Sequence, residues 1–328
     1  MKKSLIALAV AGALTAPMIA QADALLYGSL RLKYNQADEM AGAGADKNTL
    51  GLGDNASRIG IRGKQQTGID GVTATYRGEW KVISGDTGDF GAGRLAYVGL
   101  NTDAGNFNIG RMWTPAFLMV GAMTDLLDGN GSAPSQDYAP GRSGRQANAT
   151  SYTTPKMGGF QAALLIQTDN DNDAAAVVET PASIAAAVTA KQDDETIDMY
   201  NLAATYEVAG FRLAGSHTAN EITDKDITQV AASYTMDALY VAALISDNEN
   251  RKSGFEDTFE VIASYNLGTA TVFANYVDYD DGGNHVAAEV QYRLGKKARV
   301  FANYISYDDD AEKIIGTDAV SFGYRVDF

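Results

Sequence analysis

The chain has no cysteine among its 328 residues. That excludes a disulfide-stapled scaffold, a thiol nucleophile and cysteine-ligated metals. Histidine is nearly absent: only His217 and His285 occur, and neither G-x-S-x-G nor H-E-x-x-H is present. No enzymatic activity and no cofactor are therefore expected. Long hydrophobic runs are missing as well. After residue 22 no stretch approaches the roughly 18 apolar residues of a membrane-crossing helix, so membrane residence would require strands closed into a barrel. Positive charge is in deficit, with 26 Lys and Arg against 41 Asp and Glu, which argues against nucleic acid as a partner. Proline is held to six. Pro17 precedes the strand patterns, and Pro115, Pro134, Pro140, Pro155 and Pro181 fall outside strands or at a strand end, as expected of a sheet with few edges.

The first 22 residues stand apart. Lys2 and Lys3 precede an apolar run from Leu5 to Ala20, and Ala20-Gln21-Ala22 supplies a small-x-small cleavage pattern. Residues 1–22 thus read as a secretory signal peptide cut before Asp23. Loss of the two lysines takes the net charge from −15 to −17. Residues 23–328 show no linker and read as one domain.

Alternation fills that domain. In Ala319–Phe328, Val320, Phe322, Tyr324, Val326 and Phe328 share one face, while Ser321, Gly323, Arg325 and Asp327 share the other. Leu26–Asn35 follows the same pattern, and so do the segments around Ile59 and Tyr76. A period of two with one apolar and one wet face is the signature of a transmembrane barrel strand. Short turns alternate with long polar loops throughout, and sixteen strand candidates can be counted, a number that leaves a water-filled lumen. Tyr206, Tyr234, Tyr265, Tyr292 and Tyr324 recur once per hairpin just before a short turn or the chain's end, as a ring at a lipid–water interface requires.

One connection breaks the rhythm. Residues 115–144 form a loop of some thirty residues whose start is apolar (Ala116, Phe117, Leu118, Met119, Val120) and which then carries Asp125 and Asp128. A long loop with apolar content and few charges points to function rather than disorder. It is expected to fold inward and narrow the pore, with Asp125 and Asp128 opposite Arg58, Arg77 and Arg31, which have wet-face parity. Arg111, Arg142 and Arg145 flank the loop. Acids facing bases across a narrow gap set ion preference. Arg111 shares parity with Phe107 and Ile109, so either a bulge turns it or those apolar residues pack beneath the loop.

Several short motifs together carry a resemblance: L-Y-G-S at Leu26–Ser29, S-R-I-G-I-R-G at Ser57–Gly63, A-Y-V-G-L at Ala96–Leu100, G-x-x-N-I-G-R at Gly105–Arg111, T-D-L-L-D at Thr124–Asp128, Y-x-x-P at Tyr152–Pro155 and the terminal Phe328. In this order and spacing the chain resembles the general bacterial outer-membrane porins of Gram-negative cells. The resemblance implies an all-β, 16-stranded antiparallel transmembrane barrel with an inward-folded third loop. It also implies a homotrimer in the outer membrane that passes small hydrophilic solutes and ions by diffusion. By motif, Asp125 and Asp128 look like the loop acids, Arg58 and Arg111 like wall arginines, and Arg145, or failing that Arg142, like a third. Ser29 stands where some members place a lysine, and Leu-Asp-Gly-Asn-Gly replaces the usual Pro-Glu-Phe-Gly-Gly of the loop.

Net charge and the loop acids together predict a weak cation preference. A substrate-specific channel for a sugar or phosphate is the alternative. Against it, most aromatics have lipid-face parity, and Asp125 and Asp128 oppose a purely basic constriction. The acidic loops, with Asp280, Asp281 and Asp308–Asp310 among them, read as solvated and bridged by cations to lipopolysaccharide.

Overall fold

The computed structural model describes residues 24–37, 50–131, 144–168, 196–221, 224–249, 256–313 and 316–328. The expected signal peptide, residues 1–22, lies outside them. The described chain is nearly all strand. β1 (Leu25–Ala37), β2 (Leu50–Asp54), β3 (Arg58–Gln66), β4 (Thr73–Val82), β5 (Phe90–Thr102) and β6 (Gly105–Trp113) come first. After the long connection follow β7 (Arg145–Thr153), β8 (Phe160–Thr168), β9 (Ile197–Val208), β10 (Phe211–Asn220) and β11 (Ile227–Met236). The set ends with β12 (Leu239–Asn248), β13 (Asp257–Asn266), β14 (Ala270–Asp278), β15 (Asn284–Arg293), β16 (Ala298–Tyr307) and β17 (Ala319–Asp327).

Among the described residues every strand pairing is antiparallel, and β1 pairs with β17 from Ser29↔Asp327 to Ala37↔Ala319, so the sheet closes on itself. Both β2 and β3 pair with β1, at Leu32↔Asp54 and Ser29↔Arg58 respectively. Between these pairs one strand carries one residue more than the other, and Ala56 takes φ +63. That is a β-bulge within one barrel strand. The seventeen segments therefore occupy sixteen positions, as the alternation predicts. Links such as Ala209-Gly210 and Met236–Leu239 turn in two residues, whereas the alternate connections are longer.

Alternation becomes burial. Leu202, Leu213, Val230, Ile245 and Val290 are exposed on the outer face, while Asn201, Gln229, Glu260, Glu289 and Asn303 on the opposite parity are buried. The tyrosines of the hairpin phrase lie on the outer face: Tyr206, Tyr265, Tyr292 and Tyr324 are all exposed.

The connection after β6 begins with a short helix, α1 (Pro115–Met119), and a 3-10 turn, Gly121–Met123. Thr114 caps α1: its hydroxyl accepts from Phe117 N–H at 3.2 Å, and Pro115 supplies a pre-set φ in the first turn. Met119, Val120 and Met123 pack against Ala163, Ala203, Ala214, Ala231, Ala242, Leu244 and Ile262, all from the face opposite the exposed leucines. Small alanines there leave room for the helix. The apolar start of the loop thus has a specific apolar seat.

Candidate functional site

A cavity of about 1030 Å³ opens between the polar faces of the first and last strands and the segment 125–131. Eight arginines line it. Arg31, Arg58, Arg62, Arg77 and Arg94 come from β1 and β3–β5, Arg145 from β7, and Arg299 and Arg325 from β16 and β17. The alternation that turns apolar side chains outward aims these guanidiniums at one space, save that of Arg94, which sits at the register shift between β4 and β5. Glu79 organises one group of them. It is buried, and it accepts from Arg94 Nε at 2.7 Å, Tyr27 hydroxyl at 2.9 Å and Arg77 Nη2 at 3.1 Å. Arg77 Nε in turn donates to the Tyr27 oxygen at 2.7 Å. A buried carboxylate with three donors is well satisfied and fixes the positions of both arginines.

Asp128 organises a second group. Arg299 donates to both of its carboxylate oxygens, Nη2 to Oδ1 at 2.6 Å, and Arg325 Nη1 donates to Oδ1 at 3.2 Å. Asp125 lines the cavity within electrostatic reach of Arg31 and Arg58. Burial pushes its carboxyl above the ordinary aspartate range and Asp128 adds to the rise, while the two arginines oppose it.

Wall side chains hold the segment 124–131 in place. Glu289 accepts the backbone N–H groups of Asp128 and Gly129 at 2.8 and 2.7 Å. Glu260 accepts the Thr124 hydroxyl at 2.8 Å, and Asn303 bonds the backbone of Asn130 in both directions. Lys33 and Asn35 of β1 bond the Asn130 side chain. His285, buried between Tyr279 and Tyr307, reaches the Gly131 carbonyl at 2.9 Å through Nε2.

Of the residues expected at the site, Asp125, Asp128, Arg31, Arg58, Arg77 and Arg145 line one cavity. Arg142 lies outside the described residues. Arg111 is not in the lining, although it lies close enough to Arg145 to repel it. Its surroundings decide between the two options the sequence leaves open. The β6–β7 ladder slips between Gly110 and Met112, and Gly110 and Asn148 have φ +129 and +51. Phe107 and Ile109 are exposed on the outer face, so these two do not pack beneath the loop, and the register slip falls beside Arg111. Asp128 bonds Arg299 and Arg325, which the motifs do not single out; wet-face parity was their only signal. Arg62, Glu79, Glu260 and Glu289 carried the same weak mark, whereas Arg94 has the parity of exposed Val98 and Leu100 and comes to the cavity at the β4–β5 register shift.

The expected cation preference is not supported by this cavity. Against its eight arginines stand four carboxylates, those of Glu79, Asp125, Asp128 and Asp327. The chain's net negative charge has the opposite sign from that of this lining, so it is no guide to the ions admitted there.

A closed antiparallel barrel of sixteen positions, apolar outside and polar within, defines the class of outer-membrane β-barrels. The chain belongs to the Gram-negative porin family, whose model matches residues 7–312, and it is an outer-membrane protein. It is 32% identical over 173 residues to outer membrane porin protein 32 of Delftia acidovorans, covering 49% of this chain and 48% of that protein. It is 26% identical over 303 residues to outer membrane porin protein OmpD of Citrobacter koseri, covering 81% and 78%. The first match, like that to major outer membrane protein P.IB of Neisseria meningitidis at 34%, spans half or less of the relative's length. Among solved structures, the anion-selective porin from Comamonas acidovorans superposes with TM-score 0.72 at 18% identity, over 94% of this chain and all of that one. OmpT of Vibrio cholerae in its trimer form gives 0.66 at 17% identity, over 94% and 100%.

Proposed function

We propose that this protein is a passive diffusion channel for small hydrophilic solutes and ions, with an anion preference. The carrying observation is the charge of one cavity, where eight arginines face four carboxylates. Guanidiniums held in a confined aqueous space raise the local anion concentration and repel cations. The segment 114–131 lies across the lumen in this reading and sets its narrowest section. Its bonds to Glu260, Glu289, Asn303 and Lys33 support that placement. The homotrimer implied by the family is adopted here, as is export by residues 1–22, which an N-terminus at Asp23 in the purified protein would check. The anion selectivity named for the Comamonas porin points the same way.

Single-channel current across a planar bilayer under a KCl gradient tests the reading. Stepwise openings in threes, with a reversal potential on the chloride side, are the expected result. No conductance, or a reversal potential favouring potassium, would overturn it.

A further inference from the structure

We propose that Arg293, Arg299, Arg325 and Arg31 form a track that binds linear oligophosphates as they pass through the pore. The inference rests on the anion-admitting pore proposed above and names a solute class for it.

Strand register sets the four side by side. Arg293 of β15 is the cross-strand partner of Arg299 in β16, Arg299 of Arg325 in β17, and Arg325 of Arg31 in β1. All have lumen-face parity, which Gln291, Asn303, Ser321 and Ser29 mark as buried positions on the same strands. Neighbouring strands lie about 4.8 Å apart, so the row is about 14 Å long. Arg31, Arg299 and Arg325 line the cavity, and Arg293 does not. It ends β15 beside the short turn that carries exposed Lys296 and Lys297, and its Nη2 donates to the Gly268 carbonyl of the β13–β14 turn. The row therefore joins the arginine-rich cavity to the short-turn end of the barrel, the periplasmic end in outer-membrane barrels.

Like charges directly opposite on adjacent strands destabilise a sheet, and here three such pairs run in succession. Two carboxylates answer them. Asp128 accepts from Arg299 and Arg325, and Asp327 accepts from Arg325 Nε at 2.9 Å. Four positive charges thus meet two negative ones. Arg31 Nε donates to Ser29 Oγ at 2.8 Å, and among the described residues neither of its η nitrogens has a hydrogen-bond partner. The same holds for Arg299 Nη1 and Arg325 Nη2.

A solute that answers such a row carries its charges in a line. A single inorganic anion covers one pair of arginines, and a compact organic acid gathers its charges around one centre. A linear oligophosphate bears negative charge on every unit, and each unit offers oxygens that accept from a guanidinium in the bidentate manner. One of its groups can stay on Arg325 while another reaches Arg299 or Arg293, so it changes partners stepwise without leaving the wall.

The test compares tripolyphosphate with orthophosphate as blockers of chloride current through the purified full-length pore. Arg293→Gln, at the end of the row outside the cavity, should raise the half-block concentration of tripolyphosphate about two- to fivefold, the span of an exposed ion pair, and that of orthophosphate by less. Lys296→Gln removes an equal charge from the adjoining turn but off the row, and should leave the tripolyphosphate value unchanged. An unchanged tripolyphosphate value in Arg293→Gln overturns the track while the chloride preference stands. So does an equal rise for orthophosphate, or an equal rise in Lys296→Gln. A potassium-favouring reversal potential instead removes the anion pore and the track with it.

Discussion

Asp125 is one titratable residue through which pH should act on this cavity. Burial pushes its carboxyl upward, Asp128 pushes it further, and Arg31 and Arg58 resist. It therefore takes up a proton at a pH above the range near 4 of an ordinary aspartate. Protonation removes a negative charge from an already positive lining, so the proposed chloride preference should strengthen as pH falls through that region. Reversal potentials measured from neutral pH downward would show the rise. Asp125→Asn should hold the stronger preference already at neutral pH and flatten the profile there. An unchanged profile in that variant would place the titration elsewhere. Asp125 was legible in the sequence from its place in an anomalous loop, and Arg31, Arg58 and Arg77 from their parity. Arg299 and Arg325 were not, because their bonds to Asp128 span 171 and 197 residues. A period of two assigns a face, but not the residue across the barrel.

The element that depends most on distant side chains is the connection after β6. Its first part is seated by apolar packing and its second by acceptors on the wall, Glu289 foremost with two backbone N–H groups. Hydrogen bonds to a charged group contribute about 1.5–3 kcal/mol, so Glu289→Ala should loosen the segment by that order. The expected readout is increased open-channel noise and faster protease nicking near Gly129, with the barrel still intact. Quiet current and unaltered cleavage would show that packing alone holds the segment. The helix start at Thr114-Pro115 carried a recognisable cap-and-proline signal, yet it lay inside a stretch whose notable feature was its length. The bulges at Ala56 and Asn148 left less trace, since left-handed backbone at a non-glycine residue is imposed by the strands on either side.

Closure governs the molecule as a whole. Gly28 and Phe328 exchange backbone hydrogen bonds at 3.2 and 3.1 Å, and the Phe328 ring fills the space a side chain at residue 28 would need. Gly28→Val should therefore open the seam and lower the temperature at which the barrel loses its compact electrophoretic mobility in detergent. Adding Phe328→Ala should restore part of the loss, because it clears the ring from that space. If the double variant melts no higher than the single one, the clash is not the cause. The overall architecture was the most legible level, since sixteen repetitions of one alternation average out local irregularity. The seam also dictates the order of assembly in time. β1 is made well before its partner β17, and an unpaired strand edge is a template for the wrong neighbour. Contacts so remote in sequence form late and slowly. The seam therefore cannot close until β17 has been made, and until then the edge of β1 lacks the partner it has in the finished barrel.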